Sequence, residues 1–165
     1  MSLPTLTTSH DALGQQSLRN VLLAYQKGHM NVSFQSVALA ITGGGAATVS
    51  RGAAFKGIVE GQPVTSAGAG ALPALSGTIL DGKYNVFCFY VSKAGAFSTL
   101  MGTAGATPDL IVWPTTPSGT AMIGFVLILT TGANFVGGTT ALDAGTVTAT
   151  YYNVIGSWEP STVPL

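Results

Sequence analysis

The chain has 165 residues, six Lys plus Arg against six Asp plus Glu, and 7% charged side chains. It is long enough for one domain, yet it carries far less charge than the about 25% of an ordinary soluble protein. Its scattered cations (Arg19, Lys27, Arg51, Lys56, Lys83, Lys93) argue against nucleic acid, which needs a basic patch to displace counterions. A single cysteine, Cys88, excludes an intrachain disulfide.

In chain order, residues 1–10 read as an irregular arm. Residues 11–27 give the one convincing helix: Leu13, Leu18, Val21, Leu22 and Tyr25 fall near helical spacing, with Lys27 and Gly28 at its end. From about residue 31 the pattern becomes that of strands. Val32 with Phe34, 37–41, Thr48-Val49 and 55–59 are the first candidates, with Gly43 to Gly45 as a turn. Residues 61–77, GQPVTSAGAGALPALSG, read as a low-complexity loop of small residues. Ile79-Leu80, an Asp81-Gly82 turn and 84–92 read as a hairpin. Lys93 to Gly95 then turns the chain, and 96–101 pairs back. Residues 110–113, LIVW, precede a Pro-rich turn.

The stretch GTAMIGFVLIL raises a question of solvent. A spanning helix needs about 20 apolar residues; 121–129 is nine, ended by Thr130-Thr131-Gly132 and preceded by Pro114 and Pro117. A strand fits better, and one apolar on both faces is buried on both. Its large side chains gain about 2 kcal/mol each on full burial, against about 1–2 kcal/mol to order each backbone position. Burial of one face alone would leave it dependent on its ladder bonds. A second sheet is therefore expected on one side, and a loop, helix or subunit on the other. Phe135-Val136 and 147–155 are the last strand candidates. The expected fold is mainly β, an antiparallel β-sandwich or jelly-roll-like barrel with one short N-terminal helix. It divides into an arm and helix (1–30), a β domain (31–156) and an extended tail (157–165).

Reaction chemistry is hard to find. His10 and His29 flank the helix without evident partners, and Cys88 alternates with Phe87 and Phe89 as a packed side chain. The six carboxylates lie far apart, most of them in turns. No phosphate loop or nucleophile elbow is present, and no metal or cofactor is expected. The first residues, MSLPTLTTSHDALG, lack the basic and apolar regions of a secretory signal, which predicts synthesis in a cytoplasm and no passage through a membrane. A chain so poor in ionisable groups and rich in apolar strands is expected to work by contact, against copies of itself or a large partner.

The blocks YNVFCFYVSKAGAFSTLMGTAG, PSGTAMIGFVLIL and FVGGTTALDAGTVTATYYNVIG resemble the capsid decoration (cement) and head-fibre proteins of tailed bacteriophages. The resemblance covers roughly residues 79–156. It implies a β-rich homotrimer on the outside of the virion head, bound to the major capsid protein and bridging capsomers, with no enzymatic activity. Leu18, Val21, Leu22 and Tyr25 on the helix are then expected contacts, together with the arm and the loops 61–77 and 103–119. The alternative is a fibre or spike module that binds a host cell-surface glycan, with Trp113 and Trp158 as the aromatic contacts.

Overall fold

A computed structural model of the chain describes residues 31–156. The helix expected over 11–27, with Leu18, Val21, Leu22 and Tyr25, lies outside the described residues, as does Trp158. The described part is mainly β. Its strands are β1 (Val32–Ser33), β2 (Leu39–Ile41), β3 (Val49–Arg51), β4 (Phe55–Val59), β5 (Gln62–Ser66), β6 (Gly70–Ala71), β7 (Thr78–Ile79), β8 (Tyr84–Ser92), β9 (Phe97–Met101), β10 (Thr120–Thr130), β11 (Phe135–Val136) and β12 (Val147–Asn153). The helical content of the described residues is one 3₁₀ turn, Pro108–Leu110.

The longest apolar runs make the central sheet, in the order β12-β10-β8-β9, with antiparallel pairing throughout. β8 and β10 are its inner strands, buried along most of their length. One face presents Phe87, Phe89 and Val91 from β8 and Ile123, Val126 and Ile128 from β10. These pack against the small sheets β1-β4-β5, β2-β3-β6 and β11-β7, which supply Leu39, Val49, Phe55, Val59, Val64, Ile79 and Phe135. The two layers form the expected antiparallel sandwich. Val86, Cys88, Tyr90, Met122 and Phe125 face the other way and join a second apolar cluster with Ile111 and Val154. Cys88 thus lies on the face opposite Phe87 and Phe89, as strand alternation requires.

A β-bulge lets β10 serve both faces. Met122 pairs with Tyr90 and Gly124 with Phe89, so Ile123 is the extra residue. Such an insertion shifts the parity of the strand, which is why Met122 and Phe125, an odd step apart, share one face. Gly124 sits where β10 comes closest to its neighbours. A Cβ there would overlap Leu39 Cδ1 and lie 2.5 Å from the Tyr152 carbonyl oxygen. The second obstacle is backbone on the paired strand and cannot swing aside. Gly124→Ala is therefore expected to destabilise the fold by about 1–3 kcal/mol through overpacking. Urea unfolding measures this, and an unchanged midpoint would show that β10 and β12 part without strain.

Two sequence expectations are corrected. The segment 61–77 is not one loop: it holds β5, β6 and the start of the crossing to β7. β4 and β5 form a hairpin through Glu60 and Gly61, whose φ values are 49° and 74°. That is the positive-φ pair of a tight hairpin turn, usually written with Asn or Asp before Gly, so Glu hides it. The Asp81-Gly82 turn does form, and Asp81 Oδ1 accepts the Gly132 N–H at 2.6 Å. It joins strands of different sheets, however: β7 pairs with β11, and β8 pairs with β9 and β10. Burial of Ile79 and Phe135 in the sandwich core draws β7 to β11. The buried Thr130 hydroxyl fixes the crossing by donating to the Leu80 carbonyl at 2.7 Å.

Candidate contact surface

The second face of the central sheet is closed by the chain between β9 and β10. Of the coverings the sequence allows, the described residues supply a loop. The cover is held by main-chain bonds at three levels, two of them to β8 and one within the cover itself. Gly102 N–H donates to Val86 O at 2.9 Å, Thr103 and Val112 exchange bonds of 2.8 and 3.1 Å, and Tyr84 and Gly105 exchange two of 2.9 Å. Buried Asn85 adds a side-chain bond, its Nδ2 donating to Gly102 O at 2.9 Å. Two glycines permit this closeness. A Cβ on Gly102 would lie 2.7 Å from Val112 O, and one on Gly105 would lie 2.6 Å from the Leu110 carbonyl carbon.

The 3₁₀ turn ending at Leu110 and the extended residues after it sort the side chains of the cover. Ile111 turns in to Val86 and Cys88, while Leu110 and Val112 turn out, 59% and 63% exposed. Trp113 is half-buried, edge-on to Phe125 with centroids 4.9 Å apart. Phe125 in turn stacks on Tyr152 at 4.7 Å and 15°, and Tyr152 is 41% exposed. Exposed Ile155 follows on the same chain end. The segment 103–119 carries one ionisable side chain, Asp109. The surface of this side is therefore apolar and hydroxyl-bearing, with little charge.

The sequence singled out Trp113 and the loop 103–119, and the structure places both on this cover. It missed Leu110 and Val112 as outward residues and Tyr152 as an exposed ring. Leu110 ends the 3₁₀ turn and the chain is extended only from Ile111, so no single period in LIVW marks which side chains face out. A further residue passed over is Arg51. Val49 and Arg51 are two apart on β3, so both point inward, and both are buried. Arg51 Nη1 donates to Ser66 Oγ at 2.7 Å and to the carbonyls of Gly68 and Ala53 at 3.2 and 3.4 Å, and the guanidinium lies 4.3 Å over the Phe97 ring. Burial lowers its pKa, while stacking and oxygen acceptors hold the cation in place of a carboxylate.

Other charged groups make surface and turn contacts. Lys93 and Glu60 pair at 3.2 Å on the exposed surface, an arrangement worth little in water. Asp143 Oδ2 accepts the Gly45 N–H at 2.8 Å, which, like Asp81, is turn chemistry. Among the described residues no three His, Cys, Asp or Glu side chains gather in a metal-binding group. No helix among them is long and apolar enough to cross a membrane. The Cys88 thiol is buried and its pKa is pushed up to about 12 by loss of solvent, which keeps it protonated and unreactive at neutral pH. Comparison with protein families, with curated proteins and with solved structures finds no match to this chain.

Proposed function

We propose that the chain is a structural virion protein. It decorates the outside of a phage capsid and stabilises it by binding the major capsid protein across capsomer junctions. It is made in the host cytoplasm, ends on the capsid exterior and performs no reaction. The observation that carries this reading is the pair Leu110 and Val112, large apolar side chains more than half exposed on a rigidly anchored loop with a single charge. Such residues on a braced, nearly uncharged surface suit burial against another protein. Binding only the assembled shell lowers its free energy relative to a ruptured one, and many copies multiply a modest contact.

The test is co-sedimentation of the purified protein with undecorated heads. Saturable binding is expected. The double variant Leu110→Asp, Val112→Asp, which buries two carboxylates in the contact, is expected to bind at least about tenfold more weakly, or about 1.4 kcal/mol. Protein that stays in the supernatant at all ratios overturns the reading.

A second reading, a module for a host cell-surface glycan, is favoured by the Trp113–Phe125–Tyr152 stack, which ends in an exposed ring. Glycan-array binding that is lost in Trp113→Ala and Tyr152→Ala would support it over the first.

A further inference from the structure

The central sheet has two edges, β12 and β9. On the β12 side the Asn153 side-chain oxygen takes the Leu39 N–H at 2.9 Å, which ties that edge to β2. On the β9 side the Thr99 hydroxyl donates to the Pro73 carbonyl at 3.2 Å, a side-chain bond that leaves the main-chain groups of β9 uncommitted. In the β8–β9 ladder Ser92 N–H donates to Ala96 O and Gly102 N–H to Val86 O, both at 2.9 Å. Phe87 is opposite Met101, and Val91 opposite Phe97. The inward bonds therefore fall on the even-numbered residues of this strand. Alternation in an antiparallel ladder then aims the N–H and C=O groups of Phe97, Thr99 and Met101 away from the sheet. Among the described residues no hydrogen bond reaches any of these main-chain groups.

Exposed strand edges are ordinarily guarded by charge, proline or a bulge. β5, an edge of its own sheet, carries Pro63. β9 reads FSTLM, without charge, Pro or Gly, and its register is unbroken. We propose that β9 pairs with β9 of a second copy of this chain, antiparallel about a two-fold axis through Thr99. The register follows from the strand itself. Thr99 faces Thr99 of the partner subunit and exchanges both main-chain bonds with it. Phe97 faces Met101 of the partner subunit, and Ser98 faces Leu100 of the partner subunit. Thr beside Thr and an aromatic ring beside Met are favourable cross-strand neighbours. No like charges meet, because the strand has none. The two central sheets become one. A two-fold contact gives a dimer, or an even-numbered assembly built from dimers, where the phage resemblance implies a trimer. The proposal does not depend on head binding.

Light scattering on the full chain is expected to give twice the mass of one chain. Thr99→Lys sets two ammonium groups opposite each other on the axis and is expected to weaken association at least about tenfold, which like-charge pairing predicts in direction. Far-UV circular dichroism checks that this variant folds. Thr99→Cys gives a second readout that does not require breaking the contact. Hydrogen-bonded partners in such a ladder have Cα atoms about 5.5 Å apart, within reach of a disulfide. Diamide, taking up two electrons and two protons, is expected to join two Thr99→Cys chains through an S–S bond, while Thr148→Cys on β12 and the unaltered chain with its buried Cys88 stay single. A monomer or trimer mass for the unaltered chain overturns the proposal, and so does a Thr99→Cys protein that diamide leaves unlinked. A dimer that fails to sediment with heads keeps this proposal and removes the decoration reading.

Discussion

Replacing Phe87 with Ala is expected to remove about 3–5 kcal/mol of folding stability. That is a large share of the about 5–15 kcal/mol a domain has to spare. Phe87 is fully buried at the middle of the sandwich. In the ladder it lies between Val126 of β10 and Met101 of β9, so backbone on both sides holds the site open. Its ring meets Phe135 edge-on, centroids 6.0 Å apart and planes at 62°. That contact ties the central sheet to β11 in the other layer. Truncation loses the transfer energy of the ring, the aromatic pair (about 0.5–1.5 kcal/mol), and leaves a void that strands on three sides cannot collapse to fill. Phe34→Ala is the control: Phe34 is 59% exposed, and its loss is expected to change stability by no more than about 0.5 kcal/mol. Urea unfolding of the two variants side by side measures the difference. Equal small losses would show that the layers are not held together through Phe87.

Stability is also expected to fall steeply in alkali, because two weak acids are buried side by side. Burial pushes the Cys88 thiol from its ordinary 9.0 up to about 12. The Tyr90 hydroxyl is pushed up from 10.0, first by burial and then by its neighbour Cys88. Both groups are neutral in the folded state. In the unfolded chain they release protons at their ordinary values, so the native state binds more protons above pH 9.0 and stability declines as pH rises. The contribution of Cys88 is present in full below pH 9.0 and is lost progressively towards about 12, with a slope of at most about 1.4 kcal/mol per pH unit. Tyr90 adds its own slope above 10.0. Urea midpoints measured from pH 8 to 11 are expected to drop, and Cys88→Ala is expected to flatten the early part of the fall. Coincident curves for the two proteins would mean that Cys88 titrates as an exposed thiol does.

Much of the scaffold was legible because its signals are local. The runs that became β4, β8 and β11 have the bounds read from the sequence, and the 121–129 run extends by one residue at each end as β10. The demand that β10 be covered on both sides followed from its lack of polar residues. What was not legible depends on distance or on backbone geometry. Asp81-Gly82 announces a turn but cannot say which strand Ile79 will join, since Phe135 lies far along the chain. Glu60 at positive φ has no composition cue. β5 and β6 hide among glycine, serine and proline because two- and five-residue strands leave little periodicity to detect. Gly124 within an apolar run was a usable hint, since an isolated glycine in a strand marks a bulge or a close approach. For the surface, the phage resemblance drew attention to the loop 103–119 and the glycan alternative to Trp113, whereas the outward positions of Leu110, Val112 and Tyr152 needed the cover to be placed first.

The cover between β9 and β10 has a consequence for how such a protein can change. Its two ends are fixed by β9 and β10, the strands on either side of β8 in one sheet, and its inward duty falls mainly on Ile111 and Trp113. The residues that look outward answer to nothing else in the domain. If the proposed contact holds, binding preference can drift at Leu110 and Val112, or be replaced wholesale by grafting another loop of similar footing, while the framework beneath keeps its own sequence.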